Sequence, residues 1–155
     1  GLDADVGNIV NTNRKTTIAP RILQYSFTIL DKIFHLKFYP TEIYTYNKDI
    51  YQGDVLICTF CNGHYFGGGY QAGYYSSLED GMIDISVVPE ISKKELPYYL
   101  KGLITNTLHK TKKFHHFKEE DVWVKTSQYV NIDGEKYDPG TYHLKCIHNA
   151  IQLVY

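Results

Sequence analysis

The chain has 155 residues, 43% hydrophobic and 21% charged, which suits one medium soluble domain and excludes a disordered tail, a collagen-like fibre and a coiled coil. Sixteen basic against seventeen acidic side chains leave a net charge of −1, so no global field draws the chain to nucleic acid or to an anionic membrane, and no nucleic-acid partner is expected. The longest apolar runs, such as Val55 to Cys58 and Ile85 to Val88, are far below the roughly 20 residues that span a bilayer. No signal peptide opens the chain and its three cysteines are an odd number, so a reducing, cytoplasmic location is expected.

After Gly1 to Gly7, a polar stretch from Asn8 to Thr17 leads to Ala19-Pro20, and proline is tolerated in a first helical turn. Leu23, Phe27, Leu30 and Phe34 follow at spacings of four, three and four, which predicts a helix over Pro20 to Phe34 with one apolar face. From Leu36 the period shifts toward two. Ile43 to Tyr46, turn chemistry at Asn47-Lys48-Asp49, and Ile50-Tyr51 read as a hairpin. Gln52-Gly53-Asp54 is expected to break the pattern ahead of Val55 to Phe60, a short apolar run that predicts a central strand buried on both faces.

Ser92-Lys93-Lys94-Glu95 has the spacing of a capping box, and Leu96, Tyr99, Leu100, Leu103, Ile104 and Thr107 continue it as one stripe. Pro97 lacks a donor and crowds the preceding turn, so this second helix is expected to start irregularly. Beyond His109, Asp121 to Lys125 alternates, Tyr129 to Ile132 leads into Asp133-Gly134, and Thr141 to Ile147 and Ala150 to Val154 read as closing strands. About eight strands and two helices that do not alternate predict a mainly β protein, a two-layer antiparallel β-sandwich with peripheral helices, as a single domain over residues 1–155.

Asn62-Gly63-His64-Tyr65-Phe66-Gly67-Gly68-Gly69 is dense in glycine, which lets a ligand or another chain approach closely or simply builds a wide turn or bulge. It has no Gly-Lys-Ser/Thr ending and precedes no helix, so it is not a phosphate loop. Cys58, Cys61 and His64 look like a metal clamp, but residues three apart on a strand point to opposite faces and zinc needs four converging ligands; Cys146 is read as filling the core. His109 to His116 is basic, yet Glu119-Glu120-Asp121 follows at once, and a solvated loop is the better reading. Fifteen tyrosines line either a core or a groove for a sugar or lipid, which keeps open a non-catalytic, tyrosine-rich binding module. Asp133-Gly134-Glu135 places two carboxylates around a tight turn, where a rigid carboxylate can take a proton from a hydroxyl; Asp-Gly is equally an ordinary hairpin signal.

Four segments in this order, Gly1-Leu2-Asp3-Ala4-Asp5-Val6, Asn62-Gly63 with Phe66-Gly67-Gly68-Gly69, Leu78-Glu79-Asp80-Gly81-Met82-Ile83-Asp84, and Ile132-Asp133-Gly134-Glu135, resemble the C-terminal half of the bacterial diacylglycerol kinase family, lipid kinases related to sphingosine kinases and NAD kinases. Members of that family have about twice this length, with an N-terminal nucleotide-binding domain carrying a Gly-Gly-Asp-Gly-Thr loop and a C-terminal β-sandwich. No such loop occurs here, Gly1 comes first and Met82 is the sole methionine, so the chain is expected to be the second domain of a longer protein and inactive alone. The resemblance implies an ATP-dependent lipid kinase acting on diacylglycerol or a related lipid alcohol at a membrane surface. It makes Glu135 the proton acceptor, with Asp133 its neighbour and second choice. It makes Asp80 the carboxylate of a structural Mg²⁺ site, with Ser77 and Met82 contributing backbone carbonyls. Asn62, Gly67 and Gly68 are assigned to the substrate, and ATP mainly to the missing domain.

Overall fold

A computed structural model of the chain describes residues 37–66 and 70–151. The expected helix over residues 20–34, the opening segment, Gly67, Gly68 and the end of the last expected strand lie outside these residues.

Alternation decides the first elements. Strand β1 (Tyr39–Tyr44) buries Thr41 and Ile43 and turns the residues between them outward. Thr45 closes the turn to β2 (Asp49–Cys61): its N–H donates to Lys48 O at 2.8 Å, and its hydroxyl oxygen accepts from the N–H groups of Asn47 and Lys48. The hairpin is where the sequence predicts it. The break at Gln52-Gly53-Asp54 is not: those residues pair with Glu42, Thr41 and Pro40 without a gap, so β2 is one strand of 13 residues. The irregularities fall on either side of it, as register shifts between Ile43 and Tyr44 of β1 and between Val55 and Ile57 against the next strand.

Two short strands, β3 (Tyr65–Phe66) and β4 (Tyr70–Gln71), pair across the glycine segment, and β5 (Ile83–Pro89) returns beside β2. A helix, α1 (Leu96–Ile104), and a 3-10 turn at Leu108–Lys110 follow. Then come β6 (His115–Glu119), β7 (Asp121–Thr126), a small hairpin of β8 (Val130–Ile132) and β9 (Glu135–Tyr137), and β10 (Gly140–Lys145). The six long strands form one antiparallel sheet in the order β10-β7-β1-β2-β5-β6. The architecture is mainly β, as expected, and α1 is the α-helix of the described residues.

The expected solvated loop from His109 to His116 ends in a strand: His115 and His116 begin β6 because they pair with Val87 and Ser86 of β5. Ala150 and Ile151 carry no strand pairing, so the last expected strand does not start at Ala150.

Two apolar clusters sit on either side of the central strands. Ile43, Val55, Ile83, Ile85, Val87, Val122 and Val124 form one, with Phe117, Tyr142, Leu144 and Cys146 packed around it. Leu56, Ile57 and Val88 face the other way and meet Ile91, Leu96, Tyr99 and Leu108, which seats α1 on the sheet. Burial of β2 and β5 from both sides is what a continuous apolar run predicts. Each fully buried Val, Leu or Ile here contributes about 1.5–3 kcal/mol relative to exposure.

Pro97 does what its chemistry requires. Glu95 Oε2 accepts from Ser92 N–H at 2.9 Å, the backward half of a capping box. The Ser92 hydroxyl donates to the same carboxylate instead of capping a backbone N–H, and the helix begins at Leu96 with proline in its first turn. At the other end Asn106 takes φ 54, its N–H donates to Leu103 O, and Thr107 N–H donates to Gly102 O at 2.7 Å, a Schellman ending. The stripe predicted to run on to Thr107 therefore stops at Ile104.

Candidate functional site

The two carboxylates predicted to act on a hydroxyl stand on the β8–β9 hairpin. Ile132 pairs with Glu135, which leaves Asp133 (φ 49) and Gly134 (φ 95) as a two-residue turn with both residues at positive φ. Gly134 N–H donates to Asn131 Oδ1 at 3.2 Å and pins the turn to its own strand. Asp133, Gly134 and Glu135 are all exposed. An exposed carboxylate on so short a turn is held in place yet open to a ligand arriving from outside. The hairpin connects β7 to β10 at the end of the sheet marked by the Thr126–Gly140 pair.

Asp80 belongs to a different corner. It precedes β5, at the end of the sheet where Asp84 pairs with Cys61 and Lys118. Sheet order and register therefore set Glu135 and Asp80 toward the same end of the six-stranded sheet but at its opposite edges. Asp80 Oδ1 accepts from Met82 N–H at 3.0 Å, and Asp80 Oδ2 accepts from Lys118 Nζ at 2.6 Å. The Lys118 hydrogen bond, then that from Met82, holds the Asp80 carboxyl below its usual range. The same bond to Asp80 raises the Lys118 ammonium above its usual value.

Asp84, 1% exposed, is the carboxylate that sequence reasoning missed. His116 Nε2 donates to its Oδ1 at 2.5 Å, and Lys118 Nζ lies 3.4 Å from its Oδ2 without a hydrogen bond. The Tyr75 ring packs on His116 with centroids 4.6 Å apart. The signal was present: in Ile83-Asp84-Ile85-Ser86 and in His116-Phe117-Lys118 polar residues alternate with apolar ones, which puts Asp84, His116 and Lys118 on one face of paired strands.

A hard divalent ion takes at least six oxygen ligands, from carboxylates, carbonyls and water. Both oxygens of Asp80 are already engaged, the Ser77 hydroxyl oxygen accepts from Glu79 N–H at 3.3 Å, and the Met82 side chain is a thioether. Among the described residues no group of three or more His, Cys, Asp or Glu is arranged to hold a metal. A Mg²⁺ ion held by the Asp80 carboxylate and the Ser77 and Met82 carbonyls would compete with the Lys118 ammonium for Asp80 Oδ2. Cys58 packs against the larger cluster while Cys61 pairs with Asp84 at the strand end, and none of the three cysteines is in a disulfide.

The glycine segment folds back on itself. His64 O accepts from the N–H groups of Ala72 and Gly73 at 3.1 and 3.2 Å, and His64 Nδ1 donates to Gly73 O at 2.9 Å. Asn62 is exposed at its foot.

The family model of the YegS C-terminal NAD kinase beta sandwich-like domain matches residues 1–155. A protein of Shewanella frigidimarina (strain NCIMB 400) named "Probable lipid kinase YegS-like" is 28% identical over 134 residues, which cover 84% of this chain and 42% of that protein. Two solved structures are similar, one titled "Crystal structure of a putative diacylglycerol kinase from Bacillus anthracis str. Sterne" with TM-score 0.60 and 19% identity over 94% of this chain and 48% of that one. The other bears the same description, with TM-score 0.56 and 18% identity over 89% and 47%. At these identities the structures speak for the fold. The chain spans less than half the length of the relatives it matches.

Proposed function

This chain belongs to the YegS C-terminal NAD kinase beta sandwich-like domain family, and from that premise we propose that it is the lipid-facing part of an ATP-dependent kinase that phosphorylates the hydroxyl of diacylglycerol or a related lipid alcohol. The match itself carries the reading, because it runs through all 155 residues and includes the Asp133-Gly134-Glu135 turn.

Phosphoryl transfer asks for little covalent help: an aligned hydroxyl, a base beside it and positive charge around the transferred phosphate. Glu135 is the base, taking the hydroxyl proton as the oxygen attacks, and Asp133 is its neighbour across the turn. The exposure of Glu135 on a short turn supports this, since its carboxylate can come within hydrogen-bond reach of a substrate held against a second surface. ATP, with the magnesium it carries on its phosphates, is bound by a nucleotide-binding domain that closes on this one. Asn62, Gly67 and Gly68 meet the lipid. The work is done in the cytoplasm at a membrane surface, toward which Tyr65 within the glycine segment and Leu78 beyond it would offer exposed apolar side chains. No helix among the described residues is long and apolar enough to cross a membrane.

Kinase turnover of diacylglycerol in mixed micelles tests the assignment. In the full encoded protein Glu135→Gln is expected to lower kcat by about 100-fold or more and to leave thermal unfolding unchanged. A kcat within about twofold of the parent, well short of a general base's share, removes Glu135 from the mechanism. Asp133→Asn keeps a residue type that accepts positive φ and retains activity if Glu135 is the base; the opposite pattern moves the role to Asp133.

A further inference from the structure

We propose that Lys118 is a built-in cation which ties the 77–82 loop to the edge of the sheet, so that this chain holds the loop without a bound divalent metal. The inference stands apart from the kinase reading, because it concerns how a corner of the fold is held and is tested without nucleotide or lipid.

The register delivers the lysine. Lys118 on β6 lies directly opposite Asp84 on β5, and from there its ammonium sits 2.6 Å from Asp80 Oδ2 and 3.4 Å from Asp84 Oδ2. It bridges two carboxylates four residues apart, one in the loop and one in the strand that leaves it. Asp80 uses its other oxygen to hold Met82 N–H, closing the loop on itself at the start of β5. Asp84 is almost wholly buried, and its Oδ2 has no hydrogen bond, so the nearby ammonium is the positive charge that oxygen faces. The other Asp84 oxygen is taken by His116, which the Tyr75 ring covers.

Two carboxylates this close need a cation between them. A divalent ion would meet that need with carbonyl and water ligands in addition; here an ammonium on a covalent tether meets it with no ion to recruit from solution. Removing one partner from a buried charge pair leaves the other uncompensated. The site without Lys118 is therefore the one that should call for a metal.

Thermal unfolding of the full encoded protein, free of nucleotide, decides the matter in EDTA and in millimolar MgCl₂ at equal ionic strength. The wild-type midpoint is expected to move by less than about 1 °C between the two buffers, a negligible binding linkage. Lys118→Met is expected to lose about 3 °C or more in EDTA and to regain most of it in MgCl₂ in a saturable way that NaCl does not reproduce. Lys118→Arg, which keeps the charge, should unfold close to the wild type and show no response to MgCl₂. A saturable rise of the wild-type midpoint with MgCl₂, or its fall in EDTA, overturns the proposal. So does a Lys118→Met midpoint equal to the wild type in EDTA, or a saturable response of Lys118→Arg. A Lys118→Met loss that MgCl₂ does not repair supports the tie and shows that the ion cannot replace it. If Lys118→Met does not fold in either buffer, the wild-type comparison decides alone.

Discussion

Glu95 shows how much one side chain can collect. Its carboxylate accepts from the Ser92 N–H and hydroxyl at 2.9 Å each and from Lys113 Nζ at 3.0 Å. The Ser92 N–H, followed by Lys113 and the Ser92 hydroxyl, lowers its pKa from 4.5 to about 2. A carboxylate depressed on folding contributes stability above its unfolded pKa and loses it as pH falls through the folded one. Glu95→Gln is therefore expected to sit below the wild type by a constant margin above about pH 4.5, with the two converging toward pH 2, as urea unfolding at a series of pH values would show. Gly73 makes the opposite kind of demand, for space. A Cβ there would lie 2.0 Å from Ser76 Oγ and 2.4 Å from Gly63 O, whereas at Gly140 it would meet nothing within 4 Å. Gly73→Ala should cost about 1–3 kcal/mol by overpacking and Gly140→Ala should be close to neutral. Equal midpoints for the two variants in denaturant would contradict that contact.

Elements were legible where local chemistry alone makes them. The turn at Thr45 to Lys48, the two-residue turn at Asp133-Gly134 and the displaced start of α1 at Pro97 each follow from residues within a few positions of one another. The end of α1 was not, because it depends on Asn106 being held from outside: its Oδ1 accepts from Gln71 N–H at 3.0 Å, 35 residues away. Asn106→Gly keeps the left-handed backbone and loses that bond, while Asn106→Ala loses both. The expected costs are about 1 kcal/mol for glycine and 1–2 kcal/mol more for alanine, and a reversed order would show that Asn106 does not close the helix. Strand β6 escaped notice for a similar reason. Read along the chain, His109 to His116 is a basic run with acids after it; read across the sheet, His115 and His116 are partners of Val87 and Ser86. At the centre, Ile85 is fully buried in β5, and Ile85→Ala is expected to cost about 2–5 kcal/mol through lost contacts and a cavity.

For the molecule as a whole, two cores on opposite sides of β2 and β5 leave the corners of the sheet free for other work. One corner carries Glu135 on its hairpin and the other is closed by Lys118. On the proposed division of labour this chain supplies a base and a lipid wall but no nucleotide, so the isolated 155 residues should not phosphorylate diacylglycerol. Lipid phosphorylation by this chain alone would refute the scheme, whatever the outcome for Glu135 in the longer protein.

The order of residues by itself determined the class of the fold, the central position of Val55 to Phe60, the turn that presents Glu135 and the family resemblance, because periodicity, turn chemistry and motif order are properties of neighbours along the chain. Only the tertiary structure decided which charges meet. Asp84 lies 32 and 34 residues before His116 and Lys118, and the β5–β6 register is what brings the three together and sets Lys118 on Asp80. Electrostatics acts through space over a few ångströms, and the sheet chooses those neighbours.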